Sequence, residues 1–276
     1  MGPRRDLRPI ALAGAVAVGS VALLWLATVN GWLGPDVGRG DRFCEAARDA
    51  VVLQPANTFS NAGFVIAGLA IAWRAGAVRT TIASNPRLAA AYGVVVVLLG
   101  PASAAMHATQ SALGGHLDLL SMYLVAGFAA SYALTRCLRR GDAFFAATFV
   151  AIVVVCELVE RIPGHVPVVD IAANLAFGLF LLVALAGEAV LWRRGEARRE
   201  ARWGFASAGA LALAFAIWNL AKDGTSFCHP HSLIQGHAAW HLLCAVAAYA
   251  LYRLYASERV DEGVSERVDD PVSDAV

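Results

Sequence analysis

The chain returns repeatedly to apolar runs of about 20 residues, the length an α-helix needs to cross a hydrocarbon core of roughly 30 Å. The first, "IALAGAVAVGSVALLWLATV", carries no charge from Ile10 to Val29. Eight such spans can be drawn, over residues 9–33, 57–78, 88–112, 116–138, 143–162, 167–192, 203–222 and 234–256. They are too long and too uniformly apolar for barrel strands. A backbone in lipid must also satisfy its own polar groups, so each span is read as a helix. Only 16% of the residues are charged and 58% are hydrophobic, whereas a soluble domain carries about a quarter charged residues. The expected fold class is therefore all-α, a polytopic membrane helix bundle.

The breaks between spans carry helix punctuation at Pro55, Pro86, Gly114-Gly115, Gly141, Pro163-Gly164 and Gly195. Before the last span, "SLIQ" gives Ser232 and Gln235 the spacing of a capping box. The arginines are scattered over many short loops and the net charge is +1. That pattern excludes a nucleic-acid-binding face.

The same arginines orient the chain. With a cytoplasmic N-terminus, the cytoplasmic segments hold 17 of the 22 basic residues. The other side keeps Arg39, Arg42, Arg48, Arg161 and Lys222. The positive-inside rule then favours eight spans with both termini in the cytoplasm. The first span is too long for a signal-peptide core and no clear cleavage site follows it, so it is expected to stay as an anchor. Residues 1–40 form this N-terminal segment and extra helix, 41–256 the main domain, and 257–276 a charged cytoplasmic tail expected to be disordered.

Ionisable groups inside spans are costly and mark candidate sites. The third span ends "GPASAAMHATQSAL", with Ser103 and His107 at i, i+4, and the fourth begins "HLDLLSMY", with Asp118 in its first turn. Glu157 and Glu160 stand near the exit of the fifth, Asp170 and Asn174 in the sixth, and His237 and His241 in "GHAAWH" at the start of the eighth. The third span runs outward, the fourth and eighth run inward, and at 1.5 Å per residue His237 lies only about 5 Å into its helix. Ser103, His107, Asp118, His237 and His241 thus fall in one layer near the extracytoplasmic face.

Two histidines at i, i+4 share a helix face and can chelate one ion. A third from a neighbouring helix completes a His₃ set with an open position, as catalytic zinc requires. His107 has the matching depth, and His116 is the rival. "HAAWH" has no Glu to serve as base, which leaves Asp118 for proton transfer and Ser103 as an oxyanion donor. His165, His229 and His231 read as loop histidines. No G-x-S-x-G pattern surrounds Ser103, which argues against a serine hydrolase.

"SAAMHAT", "LDLLSM" and "GHAAWH", preceded by "DRFCE" and "QPANTFSN", together resemble the alkaline ceramidases and their bacterial relatives. These are seven-helix membrane hydrolases of a superfamily that includes the adiponectin-receptor-like proteins. The resemblance runs from about Asp41 to the end of the last span and makes the first span an addition to a seven-helix core. It implies a zinc held by His107, His237 and His241, proton transfer by Asp118, and oxyanion stabilisation by Ser103. It further implies a bilayer lipid as substrate: a zinc-activated water cleaves the amide of a ceramide-like lipid to a sphingoid base and a fatty acid. It also implies a disulfide between Cys44 and Cys228, leaving Cys137, Cys156 and Cys244 as packing residues. The animal enzymes bind calcium through an acidic stretch before the first core helix. Here Asp41 and Glu45 remain, but the Trp and Asn are missing and Gln54 stands where a Glu is expected, so no calcium site is expected. Two other functions fit the residues: hydrolysis of other N-acyl or ester lipids, or a non-enzymatic sensor or transporter. No protein partner follows from the sequence.

Overall fold

A computed structural model describes residues 5–76, 86–195 and 199–258. Its helices are α1 (Arg8–Val29), α2 (Pro55–Ser60), α3 (Ala62–Ala75), α4 (Pro86–Thr109), α5 (Ala112–Cys137), α6 (Asp142–Glu160), α7 (Ala172–Arg194), α8 (Ala201–Leu220) and α9 (Gly236–Ala256). No strand occurs among the described residues. Six helices, α1 and α4 to α8, are long and apolar enough to cross a membrane. The remaining two expected spans correspond to α2 with α3, interrupted at Asn61, and to α9, whose apolar run is diluted by His237, His241 and Arg253. The chain is a multi-pass helical membrane bundle.

The packing is the inverse of a soluble bundle. Val18, Leu182 and Phe205 present 60 to 73% of their surface outward, where lipid costs them nothing. Helices therefore associate through close backbone approach at small residues. A Cβ on Gly68 of α3 would lie 2.6 Å from the Gly93 carbonyl oxygen and the Val97 amide of α4. Ala13 and Ala17 of α1 pack on Ala72 and Val97 in the same way. Deeper in the bundle, Tyr92, Phe128, Tyr132, Tyr252 and Tyr255 knit α4, α5 and α9 together.

Three local expectations differ from the structure. Gly114 and Gly115 do not form the turn between α4 and α5; they lie inside the first turn of α5. The reversal falls instead at Gln110, with φ of 50°, and at Ser111, whose hydroxyl caps α5 by accepting from the Gly114 amide at 3.0 Å. Gly114 is needed for approach, since a Cβ there would stand 2.8 Å from the Ala105 carbonyl. Asp118 consequently sits in the second turn. The capping box at α9 does not form either. Gln235 is itself the residue before the helix, and its amide donates backward to the carbonyls of Ser232 and His229. Asp170 lies before α7, where it pairs with Arg42 and His165.

At the end of the bundle opposite His107, Arg136 of α5 pairs with Glu188 of α7 and with Glu258, and Arg199 pairs with both carboxylates at 2.9 and 2.8 Å. Glu258 and Ser257 are the described part of the expected tail; residues 259–276 lie outside the described residues. Two glycines give a matched test of the packing. Gly68→Ala is expected to destabilise the bundle by about 1–3 kcal/mol through overpacking. Gly209→Ala in α8, where nothing lies within 4 Å, should be neutral or slightly stabilising. Thermal unfolding of the two variants in detergent reads the difference.

Candidate metal centre

His107 arrives from the last turn of α4, and His237 and His241 from the first two turns of α9. One ligand nitrogen from each lies within 4.8 Å of the other two, and all three side chains are buried. The ring centroids stand 4.5 to 5.1 Å apart. His116 is not among them. It pairs instead with Glu160 and Glu157.

Neighbouring groups decide which nitrogens face inward. The Gln54 amide nitrogen donates to the carbonyls of Glu45 and Gly40 at 2.7 and 3.1 Å. Two carbonyl acceptors fix the orientation of the amide, so Gln54 Oε1, 2.8 Å from His107 Nδ1, must accept. His107 therefore carries its proton on Nδ1 and leaves Nε2 as a lone pair. That nitrogen is sealed from solvent and has no hydrogen-bond partner. The same logic applies at His241. The single hydroxyl hydrogen of Ser60 goes to the Asn57 carbonyl at 2.9 Å. Ser60 Oγ must then accept from His241 Nδ1, 2.8 Å away, which leaves Nε2 as the lone pair. Buried His237 Nδ1 also lacks a partner. Orphaned imidazole nitrogens converging in an apolar layer fit a divalent ion with nitrogen ligands, and Gln54 and Ser60 supply the outer hydrogen bonds such ligands require.

A wall of the site comes from the loop before α2. Phe43 stacks on His237 with centroids 4.0 Å apart and meets His107 edge-on at 5.7 Å. Cys44 is disulfide-bonded to Cys228, and Cys137, Cys156 and Cys244 are free. Backbone bonds from Asp223 to Arg42 and from Ala46 to Pro230 flank the bridge. The loop is thereby clamped to the segment leading into α9. Glu45 holds its other side: both carboxylate oxygens accept amides at the start of α2, from Ala56 at 2.8 Å and Asn57 at 2.7 Å. Its charge thus favours that helix N-terminus, while Asp41 is exposed.

Ser103 lies one turn before His107 on α4, is buried, and stands near the Asp118 carboxylate of α5. Arg39, held by its amide to the Gln110 carbonyl, adds a positive charge that acts on Asp118. The sequence offered no signal for Phe43 as a wall. Gln54 and Ser60 stood in a quoted motif, but their link to the histidines depends on which way side chains turn.

The profile of the ceramidase family matches residues 43–269. The chain belongs to the ceramidase family. No curated protein matches the chain significantly. Membership implies a hydrolase acting on the amide bond of ceramide-like lipids.

Gln54→Ala is expected to weaken divalent-metal binding at the histidines by about 10–100-fold, read by competition with a chromophoric chelator. Gln54→Glu, which keeps an acceptor for His107 Nδ1, should recover part of the loss. Replacing Cys44 and Cys228 together by serine is expected to cost about 2–4 kcal/mol, measured as a lower unfolding temperature and faster metal release. Inserted helices limit the unfolded chain, which keeps the cost below that of a free loop spanning a sequence separation of 184 residues.

Proposed function

We propose that this ceramidase-family chain is a zinc-dependent amidohydrolase that cleaves the N-acyl amide of ceramide-like lipids to a sphingoid base and a fatty acid. The observation that carries the reading is the convergence of three buried histidines, two of them with an outward nitrogen engaged by Gln54 and Ser60. Zinc, when bound by His107, His237 and His241, supplies a Lewis acid that lowers the pKa of water to about 7.

The chain's own residues account for the remaining steps. Asp118 takes a proton as water attacks the amide carbonyl and returns it to the departing amine. The nearness of Ser103 to Asp118 couples two events. While Asp118 is ionised, the Ser103 hydroxyl can turn to donate to it. Once Asp118 holds the proton, it becomes the donor to Ser103 Oγ, and the serine hydrogen is free to turn toward the developing oxyanion. Phe43 covers His237 and keeps bulk water from the ligand nitrogens.

The arginine distribution supports placing both termini in the cytoplasm and the histidine end outside. A disulfide at that end fits an oxidising compartment. Detergent-purified variants test the assignment. His237→Ala is expected to lose its zinc and its ability to hydrolyse an N-acylsphingosine. Asp118→Asn should keep the zinc and lose about 10²–10⁴-fold in kcat, and Ser103→Ala about 10²-fold. Full activity in Asp118→Asn would remove this residue from the mechanism, and full activity in His237→Ala would remove the zinc.

A further inference from the structure

A second cluster stands where the N-terminal part of α5 meets the C-terminal end of α6. His116 of α5 lies between Glu157 and Glu160, which follow each other at i, i+3 on α6. One ligand atom from each of the three lies within 4.8 Å of the others. His116 Nδ1 is 3.3 Å from Glu160 Oε1, but Nε2 is 3.8 Å from Glu157 Oε2, beyond hydrogen-bond length.

The cluster is under-satisfied as it stands. Glu157 Oε1 and Glu160 Oε2 are sealed from solvent and have no hydrogen-bond partner. Among the described residues neither carboxylate pairs with an arginine or lysine. Tyr123, about two turns further along α5, is fully buried and its hydroxyl also lacks a partner. The groups acting on that hydroxyl are Glu160, Cys156, Glu157 and Asp118. His116, Glu157 and Glu160 are only partly buried, but each carboxylate keeps one oxygen that neither water nor a protein donor reaches, and a cation held between them and His116 would satisfy both.

We propose that His116, Glu157 and Glu160 form a second divalent-cation site. The donor set selects the ion. One imidazole nitrogen with carboxylate oxygens suits a borderline first-row metal such as Zn²⁺ or Mn²⁺, whereas calcium and magnesium favour all-oxygen shells. The ion neutralises both glutamates and joins α5 to α6 two residues before Asp118. The competing arrangement, in which protonated His116 bridges the glutamates, binds no metal, so the two are separable by stoichiometry.

The test loads full-length, chelator-free protein with Zn²⁺, desalts it, and measures zinc per chain by elemental analysis. Wild type is expected to hold about two equivalents. Glu160→Gln should lose one and His237→Ala the other, with monodisperse elution reporting folding. Where Glu160→Gln aggregates, His116→Gln gives the same reading. Should the three-histidine site hold no zinc, the single remaining equivalent would still be the one sensitive to Glu160→Gln, so the two sites fail independently. Zinc content unchanged in both Glu160→Gln and His116→Gln would overturn the second site and leave an imidazolium bridge.

Discussion

The orientation of one side-chain amide governs the chemistry of the histidine cluster. Gln54 Nε2 is committed to the carbonyls of Gly40 and Glu45, so Oε1 can only accept, and His107 can only present Nε2 as a lone pair. Reversing the amide would set Oε1 against two carbonyl oxygens that can only accept. The loop that supplies those carbonyls is itself anchored by the disulfide on one side and by Glu45 on α2 at the other. The imidazole tautomer deep in the bundle is thus set by a loop outside it. Carboxylate in place of this amide would accept from His107 equally well but could not donate to the two carbonyls, so the loop and the ligand would no longer be tied by one residue.

Bringing His107 to α9 depends on packing that lipid does not drive. Helices in a bilayer gain no hydrophobic energy from meeting each other, so α3 and α4 approach through Gly68 and Gly93, and α4 and α5 through Gly114. The result is an uneven bundle. In α4 and α5, 61% of the apolar window is buried, against 11 to 28% in α6, α7 and α8. The histidines are carried by α4 and by α9, which shares the aromatic core with α4 and α5. The geometry of the histidine cluster therefore rests on the close-packed part, while the outer helices meet the lipid.

How much of this was legible in the sequence follows from the range of each interaction. Apolar runs report helices because solvation acts on every residue in turn, and the spacing of His237 and His241 reports a shared face because helix geometry is local. Depth arithmetic could place His107, Ser103 and Asp118 in the same layer, since rise per residue is fixed. Turn chemistry misled the reading of Gly114 and Gly115, because a glycine needed for helix approach carries the same letter as one needed for a reversal. Ser232 and Gln235 had capping-box spacing but use their hydrogen bonds to shape the loop instead. Asp170 lies just before α7 and pairs with Arg42, 128 residues away in the chain. Phe43, Ser60 and Gln54 act on the histidines across 53 to 194 residues, which no local pattern records.

Charge is segregated between the two ends of the bundle in a way that bears on catalysis. At one end two arginines and two glutamates cancel in closed pairs across α5, α7 and the flanks of α8 and α9. Such a network holds helix ends in place and has no charge to spare for a ligand. At the other end Arg39 acts on Asp118 and His116 stands beside Glu157 and Glu160, and among the described residues no arginine or lysine comes within ion-pair distance of the three carboxylates. These three carboxylates are thus short of paired positive charge, and imidazoles with buried lone pairs do not supply it. On the proposed function, a cation among those lone pairs would offset the carboxylates and would put positive charge where an amide carbonyl becomes an oxyanion. The same imbalance that makes the apo site costly would then stabilise the transition state.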